Sequence, residues 1–168
     1  MTGAAALAGG RQPGHRSGMR AVIQRVSRAE VKVEGVVTGR IGCGYVILLG
    51  VAGDDTDDDI GYVAKRVVRL RLFDGPDGRM SRDLLAADGG LLVVSQFTLF
   101  ASTRKGTKPS WHRAAAPAVA EAIYHRFVAA LAEAAGRPVA AGRFAAAMEI
   151  ELVNDGPVTL WLDSRTRE

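Results

Sequence analysis

Ser95 and Thr98 are the hydroxyl side chains of this sequence whose positions are best suited to chemistry. They lie in the run Ser95-Gln96-Phe97-Thr98-Leu99, directly after the apolar segment Leu91 to Val94. A hydroxyl group at the end of a buried strand can reach a cleft. No Gly-x-Ser-x-Gly elbow surrounds Ser95, and no His and Asp complete a recognisable triad, so the pattern disfavours a serine hydrolase. From the residues alone, polar side chains that close a strand are the default interpretation.

A basic segment, residues 104–113, has the composition of a loop that contacts nucleic acid. Its basic and aromatic residues are Arg104, Lys105, Lys108, Trp111, His112 and Arg113. Positive charges beside an aromatic ring suit a loop that contacts RNA phosphates and stacks on a base. A solvated loop explains the same composition equally well. The sequence therefore leaves both interpretations open for this segment.

The histidines and acidic residues show no spacing that predicts a metal site. His112 and His125 have no metal-ligand spacing with each other or with a carboxylate pair. The acidic run Asp54 to Asp59 fails the calcium-loop pattern, because Ile60 stands where that loop needs glycine. We therefore expect neither a metal nor another cofactor.

The composition predicts one domain in a reducing compartment. The chain has 168 residues, 48% of them hydrophobic, which is enough for one core but short for two ordinary domains. Because Cys43 is the only cysteine, no internal disulfide can form, and we expect a cytoplasmic location without a membrane span. The formal charge of +4 is compatible with a polyanionic partner. Residues 1–18 are rich in Gly and Ala and predict a disordered tail before a single domain over residues 19–168.

Most of the elements that must position these residues are strands. Val-rich and Ile-rich runs predict an N-terminal hairpin from Arg20 to Val37, with a turn at Glu34-Gly35. The continuous apolar run Tyr45 to Val51 predicts a strand that is buried on both faces in the middle of the sheet. Near the C-terminus, residues 147–153 and 158–162 flank a cluster of turn formers and predict a hairpin.

Two helices complete the prediction. Thr56 and Asp59 have capping-box spacing, and the apolar spacing that begins at Ile60 predicts a helix that ends near Phe73. A second helix begins at Pro117 and ends at Gly136. Because strands outnumber helices without strict alternation, the predicted fold class is α+β, with mostly antiparallel sheets forming a barrel-like core and two helices packed outside.

The segment Asn154-Asp155-Gly156-Pro157-Val158-Thr159 consists of turn formers, and sequence physics alone favours a plain turn with a trans proline peptide. Together with Ser95-Gln96-Phe97-Thr98-Leu99, however, this segment resembles the signature motifs of the D-aminoacyl-tRNA deacylase family. The opening run Met19 to Val26 is similar to the start of that family, and the resemblance continues to Ser164 without a large gap. It implies a homodimeric hydrolase that binds the acceptor end of tRNA. The implied substrates are D-aminoacyl-tRNA and glycyl-tRNA mischarged on tRNA(Ala).

The resemblance also implies how the first motif acts. Ser95, Gln96, Phe97 and Thr98 would line the pocket for the ester and the terminal adenosine, with Met148 nearby. Backbone N–H groups near Phe97 and Thr98 would stabilise the oxyanion. Water would be the nucleophile, assisted by the terminal ribose 2′-hydroxyl. Thr98 as a covalent nucleophile is the older alternative.

For the second motif, the resemblance implies a cis Gly156-Pro157 peptide that reaches into the partner's active site. Its two carbonyl oxygens would receive the substrate's α-ammonium group and leave no room for an L side chain. Arg25 matches a position that braces this peptide. One departure is Trp111, which stands where the family more usually has phenylalanine and keeps an aromatic face.

The alternative function is a tRNA-binding module without catalysis, in which both motifs are structural turns. Its working part would be the basic segment with Arg104, Lys105, Lys108 and Arg113. A direct assay of ester hydrolysis separates the two functions.

Overall fold

The computed structural model describes residues 18–167. The strands are β1 (Arg20–Val33), β2 (Val36–Ile41), β3 (Gly44–Gly50), β4 (Phe73–Asp74), β5 (Met80–Arg82), β6 (Gly90–Ser95), β7 (Ala140–Ala141) and β8 (Glu149–Asp163). The helices are α1 (Asp57–Arg69) and α2 (Pro117–Ala135), and a 3-10 helix, Phe97–Phe100, is called the 97–100 turn below. The predicted tail, residues 1–18, lies outside the described residues except for Gly18. Within the described part of the chain, no helix is long and apolar enough to cross a membrane.

The long strand β1 organises the sheet. Along one edge it pairs antiparallel with β3 and then with β2, and along its other edge it pairs antiparallel with β8. β6 lies parallel to β3, and β7 lies parallel to β6. Gly39 of β2 approaches β7 so closely that a β-carbon there would lie 3.0 Å from the carbonyl oxygen of Ala141. The mixed sheet is therefore nearly closed into a barrel, which confirms the predicted α+β class with two helices.

β3 and β6 are buried on both faces, as the run Tyr45 to Val51 predicts. One face packs against the helices and the other faces a second hydrophobic cluster of the sheet. The residues on the helix side are Tyr45, Ile47, Leu49, Leu91 and Val93, and those in the second cluster are Val46, Leu92 and Val94. Because β3 lies between β1 and β6, its position in the middle of the sheet is confirmed.

The helices begin where the sequence predicts, but α1 is shorter. The Thr56 N–H donates to Asp59 Oδ2 at 2.8 Å, which confirms the capping box. α1 ends at Arg69, because Leu70 turns into extended backbone (φ −61°, ψ 127°). Phe73, the predicted end, is a buried residue of β4 instead. The apolar spacing continues beyond the helix because extended backbone also delivers this ring to the core.

The predicted C-terminal hairpin is wrong. Residues 149–163 form one strand, β8, which runs antiparallel to β1 along its whole length. Between the pairs Gln24↔Thr159 and Val26↔Asn154, residues 155–158 lie opposite Arg25 alone. The turn formers therefore make an outward bulge within a strand, called the 155–158 bulge below. A bulged strand and a hairpin share the same period-two flanks, so the sequence pattern does not distinguish them.

Candidate active site

An apolar cavity of about 460 Å³, called the pocket below, opens between the carboxyl ends of β3 and β6 and the start of α2. This volume is typical of small-molecule sites. Its lining residues are Leu49, Val51, Ser95, Gln96, Phe97, Trp111, Ala114, Ala115, Pro117, Ala120, Phe144, Ala145, Ala146 and Met148. None of these side chains is an acid or a base. The wall therefore offers hydroxyl, amide and backbone groups.

The 97–100 turn presents two backbone donors beside the pocket. The Gln96 N–H donates to the Leu49 carbonyl at 2.7 Å, and the Leu99 N–H donates to the Gln96 carbonyl at 3.2 Å. Within residues 18–167, the N–H groups of Phe97 and Thr98 have no hydrogen-bond acceptor. Donors fixed in this way can stabilise negative charge that develops on a substrate oxygen.

The hydroxyl groups of the first motif have no base beside them. The Gln96 side-chain amide donates to Thr98 Oγ1. The two described histidines are engaged elsewhere: His112 lies 3.2 Å from Ser110 Oγ, and His125 lies 3.9 Å from a Glu121 carboxylate oxygen. Within the described residues, no histidine or carboxylate hydrogen-bonds to Ser95 or Thr98. The hydroxyls thus lack the partner that activates a covalent nucleophile.

Two aromatic rings line the mouth of the pocket. The rings of Phe97 and Trp111 meet edge to face, with centroids 5.5 Å apart and planes at 86°. Phe97 is 56% exposed and Trp111 is 39% exposed, so both rings keep surface that a base could contact. Trp111, the departure noted in the sequence, is therefore part of the pocket wall.

The basic segment, residues 104–113, adjoins the pocket through Trp111. Reciprocal backbone hydrogen bonds between Ser102 and Ser110, at 2.8 and 3.0 Å, close its base. Its concave side is lined by Ser102, Arg104, Lys105, Lys108, Ser110 and His112. These basic side chains and Arg113 are exposed, and the four Lys and Arg residues form no ion pair within the described part of the chain. Their charge is therefore available to a ligand.

The 155–158 bulge is closed by two side chains. The buried Arg25 donates through Nε to the Asp155 carbonyl at 3.3 Å and through Nη1 to the Leu72 carbonyl at 2.5 Å. Asn154 Nδ2 donates to the carbonyls of Arg25 and Val158, both at 3.0 Å. Arg25 thus connects the bulge to the Leu72 carbonyl across β1. The role of Asn154 was not predicted from the sequence, although an amide at the base of the turn formers can donate to two carbonyls at once.

The two motifs do not line the same pocket within this chain. The Gly156-Pro157 peptide is cis, as the resemblance implies, and both residues are exposed. Neither of them lines the pocket, whereas Met148 does. Gly156 and Pro157 therefore lie outside the pocket of their own chain.

Known proteins resemble this chain over almost all of its described length. The family model described as D-Tyr-tRNA(Tyr) deacylase matches residues 22–163. A D-aminoacyl-tRNA deacylase of Opitutus terrae is 54% identical over 150 residues, which cover 89% of this chain and 100% of that protein. A D-aminoacyl-tRNA deacylase of Chromobacterium violaceum is 47% identical over the same coverage.

Two solved structures share the fold. One, described as a c-Myc DNA unwinding element binding protein, has a TM-score of 0.79 and 36% identity over 85% of this chain and 97% of that chain. The other, described as a probable eukaryotic D-amino acid tRNA deacylase, has a TM-score of 0.75 and 19% identity over 86% of this chain and 98% of that chain. The architecture of the sheet and helices is thus one that other proteins share.

Proposed function

The chain belongs to the D-Tyr-tRNA(Tyr) deacylase family, and on this premise we propose how its residues carry out deacylation. The protein is a hydrolase that acts on the ester bond of D-aminoacyl-tRNA. We propose that the terminal adenosine enters the pocket against Phe97 and Trp111, and that the ester lies beside Ser95, Gln96 and Thr98. The observation that carries this proposal is a pocket lined by no ionisable side chain, next to two N–H groups that have no acceptor among residues 18–167.

Such a site suits attack by water rather than by a side chain. Water adds to the ester carbonyl carbon, and the N–H groups of Phe97 and Thr98 donate to the oxyanion that forms. The bond to the ribose 3′-oxygen then breaks, that oxygen takes a proton, and free tRNA and amino acid leave. The neighbouring 2′-hydroxyl of the substrate assists the proton transfer, since the wall offers no base.

Filling the pocket tests its assignment. Ala146 lines the pocket, whereas the adjacent Ala147 is exposed outside it. We expect Ala146→Phe to abolish hydrolysis of D-tyrosyl-tRNA and Ala147→Phe to leave it near the wild-type rate. Wild-type enzyme should cleave D-tyrosyl-tRNA far faster than matched L-tyrosyl-tRNA. Tight binding of tRNA with no hydrolysis would instead favour the non-catalytic module.

Thr98 separates the water mechanism from the covalent alternative. Its hydroxyl accepts a hydrogen bond from Gln96 and has no base beside it among the described residues. Thr98→Ala should therefore lower kcat without abolishing hydrolysis, and a 2′-deoxy substrate should be affected more. An ester trapped on Thr98 of the wild-type enzyme, with no activity left in Thr98→Ala, would establish covalent catalysis.

The 155–158 bulge is proposed to select the chirality of the substrate in the partner's pocket. Gly156 and Pro157 are exposed, lie outside their own pocket and are braced by Arg25. Their carbonyls would receive the α-ammonium group and block an L side chain. Glycine has no side chain to block, so glycyl-tRNA mischarged on tRNA(Ala) is proposed as a further substrate. Hydrolysis of glycyl-tRNA(Ala) at the slow rate of its L-alanyl counterpart would contradict this.

A methyl group on Gly156 tests this role. The residue has φ +124°, and a β-carbon there would lie 2.7 Å from Val158 Cγ2 and 2.9 Å from the Val158 nitrogen. The bulge must therefore move in Gly156→Ala, and we expect slow D-tyrosyl-tRNA hydrolysis or loss of discrimination against the L form. Gly42→Ala is the control, because a β-carbon at Gly42 meets no atom within 4 Å.

Mixed dimers test whether the bulge acts across an interface. Ala146→Phe blocks the pocket but keeps the bulge, and Gly156→Ala does the reverse. If each site combines one protomer's pocket with the partner's bulge, random exchange between the two variants should give about a quarter of the sites wild-type rate and selectivity for D-tyrosyl-tRNA. A mixture whose selective hydrolysis does not exceed that of the unmixed variants after exchange, as followed by mass spectrometry, would place both motifs in one protomer or remove the bulge from the reaction.

The basic segment is proposed to contact the phosphates of the acceptor end. Replacing Arg104, Lys105, Lys108 and Arg113 by alanine should weaken binding to all tRNAs alike and preserve chiral preference. The slope of log K against log salt should fall by roughly 3 to 4. Lys65→Ala with Arg69→Ala, exposed on α1, is the control for charge alone. An unchanged slope in the loop variant would make the segment a solvated loop. We also propose that the protein acts in the cytoplasm.

A further inference from the structure

We propose that Arg20 is a positioning residue for deacylation, which it supports through the 97–100 turn. Arg20 does not line the pocket, but its Nη1 donates to the Leu99 carbonyl at 2.8 Å. Leu99 lies in the same turn as the unpaired N–H groups of Phe97 and Thr98. The inference rests on the proposed placement of the ester at this turn. A hydrogen bond from β1 then fixes the distance between the oxyanion donors and the sheet.

The Arg20 side chain has little freedom to point elsewhere. Asp163 Oδ2 accepts from its Nε at 3.3 Å. Its guanidinium carbon lies 4.7 Å from the centroid of the Phe100 ring and 5.2 Å from that of the Trp161 ring. The side chain is only 14% exposed. A planar guanidinium held by a carboxylate and two aromatic rings directs its remaining donors along fixed lines.

Asp163 is itself fixed and charged. Its Oδ1 accepts from the backbone N–H groups of Gly18 and Arg165 at 3.0 Å and of Thr166 at 3.1 Å. Burial opposes its charge, but these backbone hydrogen bonds and the one from Arg20 outweigh burial and lower the pKa of the carboxyl group. Asp163 therefore remains a carboxylate at neutral pH and holds Arg20 in place.

The register of the strands explains why this arginine reaches the turn. On the sheet, Arg20 lies between Gly50 of β3 and Asp163 of β8. Gly50 has no side chain, and the turn packs directly on it: a β-carbon there would lie 3.1 Å from Leu99 Cβ. Without a side chain at position 50, the Leu99 carbonyl comes within hydrogen-bond distance of Arg20. An ion pair with a purely structural role would need only Asp163.

The test compares substitutions on one strand. Arg20→Met keeps an apolar stem against Phe100 and Trp161 but removes the donor to Leu99. We expect kcat for D-tyrosyl-tRNA to fall about tenfold with KM nearly unchanged, because the turn loses its fixed position. Arg20→Lys keeps one donor and should recover part of kcat. Arg28→Met, which removes an exposed arginine paired with Glu151, should match wild type.

All variants are assayed below their melting temperatures, with circular dichroism as the check on folding. A lower melting temperature of Arg20→Met with wild-type kcat would make Arg20 purely structural and overturn the proposal. A kcat of Arg20→Lys no higher than that of Arg20→Met would remove the hydrogen bond to Leu99 as the cause. Ala146→Phe distinguishes a failure of the role of Arg20 from a failure of the pocket assignment. If that variant is inactive while Arg20→Met is normal, only the role of Arg20 fails; if it is fully active, the pocket assignment fails and the role of Arg20 with it.

Discussion

A single methyl group at position 50 should slow deacylation without filling the pocket. Gly50 ends β3 and supports the 97–100 turn from below. A β-carbon there would lie 3.0 Å from Phe100 Cε2, 3.1 Å from Leu99 Cβ and 3.2 Å from the Gln96 carbonyl oxygen. Two carbon atoms attract each other at about 3.5–4.0 Å. The turn must therefore move away from β3 by roughly 0.4–0.5 Å in Gly50→Ala.

This displacement predicts two measurable effects. Forcing a methyl group into a packed region typically lowers the free energy of unfolding by about 1–3 kcal/mol. A misplacement of about 1 Å in an active site can lower the rate about a hundredfold, so half that distance corresponds to about tenfold in kcat. KM should change less, because most of the pocket wall comes from other elements. The oxyanion donors, and not the binding of adenosine, should carry the loss.

The assay is hydrolysis of D-tyrosyl-tRNA, with kcat and KM determined separately, alongside urea unfolding. Gly53→Ala is the matched control, since a β-carbon at Gly53 meets no atom within 4 Å. A Gly50→Ala variant that is destabilised but keeps kcat within about twofold of wild type would refute this prediction, because the turn would then tolerate the shift. Equal losses in both glycine variants would also refute it.

The start of α1 gives the stability two opposed dependences on pH. Burial disfavours the charge of Asp59, but hydrogen bonds from Arg165 and Ser164 outweigh it and lower its pKa from 3.8 to about 2. The ionised Asp59 contributes fully to the free energy of unfolding above about pH 4, and this contribution is lost as pH falls through 2. Asp59→Asn should therefore lower the free energy of unfolding by on the order of 2 kcal/mol at pH 7 and reduce its dependence on pH below 4, as measured by urea unfolding. Burial raises the pKa of Asp55 to about 7. The free energy of unfolding of the wild type therefore falls as pH rises from about 4 to about 7, and Asp55→Asn should remove that fall in urea unfolding measured over the same pH range. Gly61→Ala, inside α1 with open space at its β-carbon, should raise the free energy of unfolding by about 0.5–1 kcal/mol in thermal melts.

The parts of the fold that the sequence predicts well are those set by neighbours along the chain. The capping box at Thr56 and the left-handed Gly136 that ends α2 depend on a few consecutive residues. The run Tyr45 to Val51 predicts burial on both faces because every residue in it is apolar or glycine. The end of α1 needs more than this. An apolar side chain at Phe73 satisfies helical spacing, and only the packing of the core shows that it arrives on extended backbone.

The site divides in the same way. Ser95, Gln96 and Phe97 line the pocket because a strand end places consecutive residues at one edge of the sheet. The residues that hold the 97–100 turn in place cannot be predicted from their position along the chain. Arg20 reaches Leu99 only because β1 pairs with both β3 and β8 in a particular register. Strand register depends on residues that are far apart in sequence, so local sequence patterns do not predict it.

Arg25 is the residue that distinguishes a bulge from a hairpin near the C-terminus. It shares the buried face of β1 with Ala21 and Ile23, so its guanidinium is removed from water in the middle of a strand. A buried arginine requires several acceptors, which straight neighbouring strands do not offer because their carbonyls pair with each other. Leu72 and Asp74 accept from Nη1 of Arg25, and the 155–158 bulge supplies acceptors for Nε, since it turns the Asp155 carbonyl and carboxylate toward Arg25 at 3.3 and 3.1 Å. In a C-terminal hairpin, residues 147–153 and 158–162 would pair with each other and not with β1. Arg25 would then lose its contacts with the carbonyl and carboxylate of Asp155. An arginine on the buried and otherwise apolar face of a strand therefore favours an irregular neighbour, and the turn formers at 154–157 provide one beside Arg25.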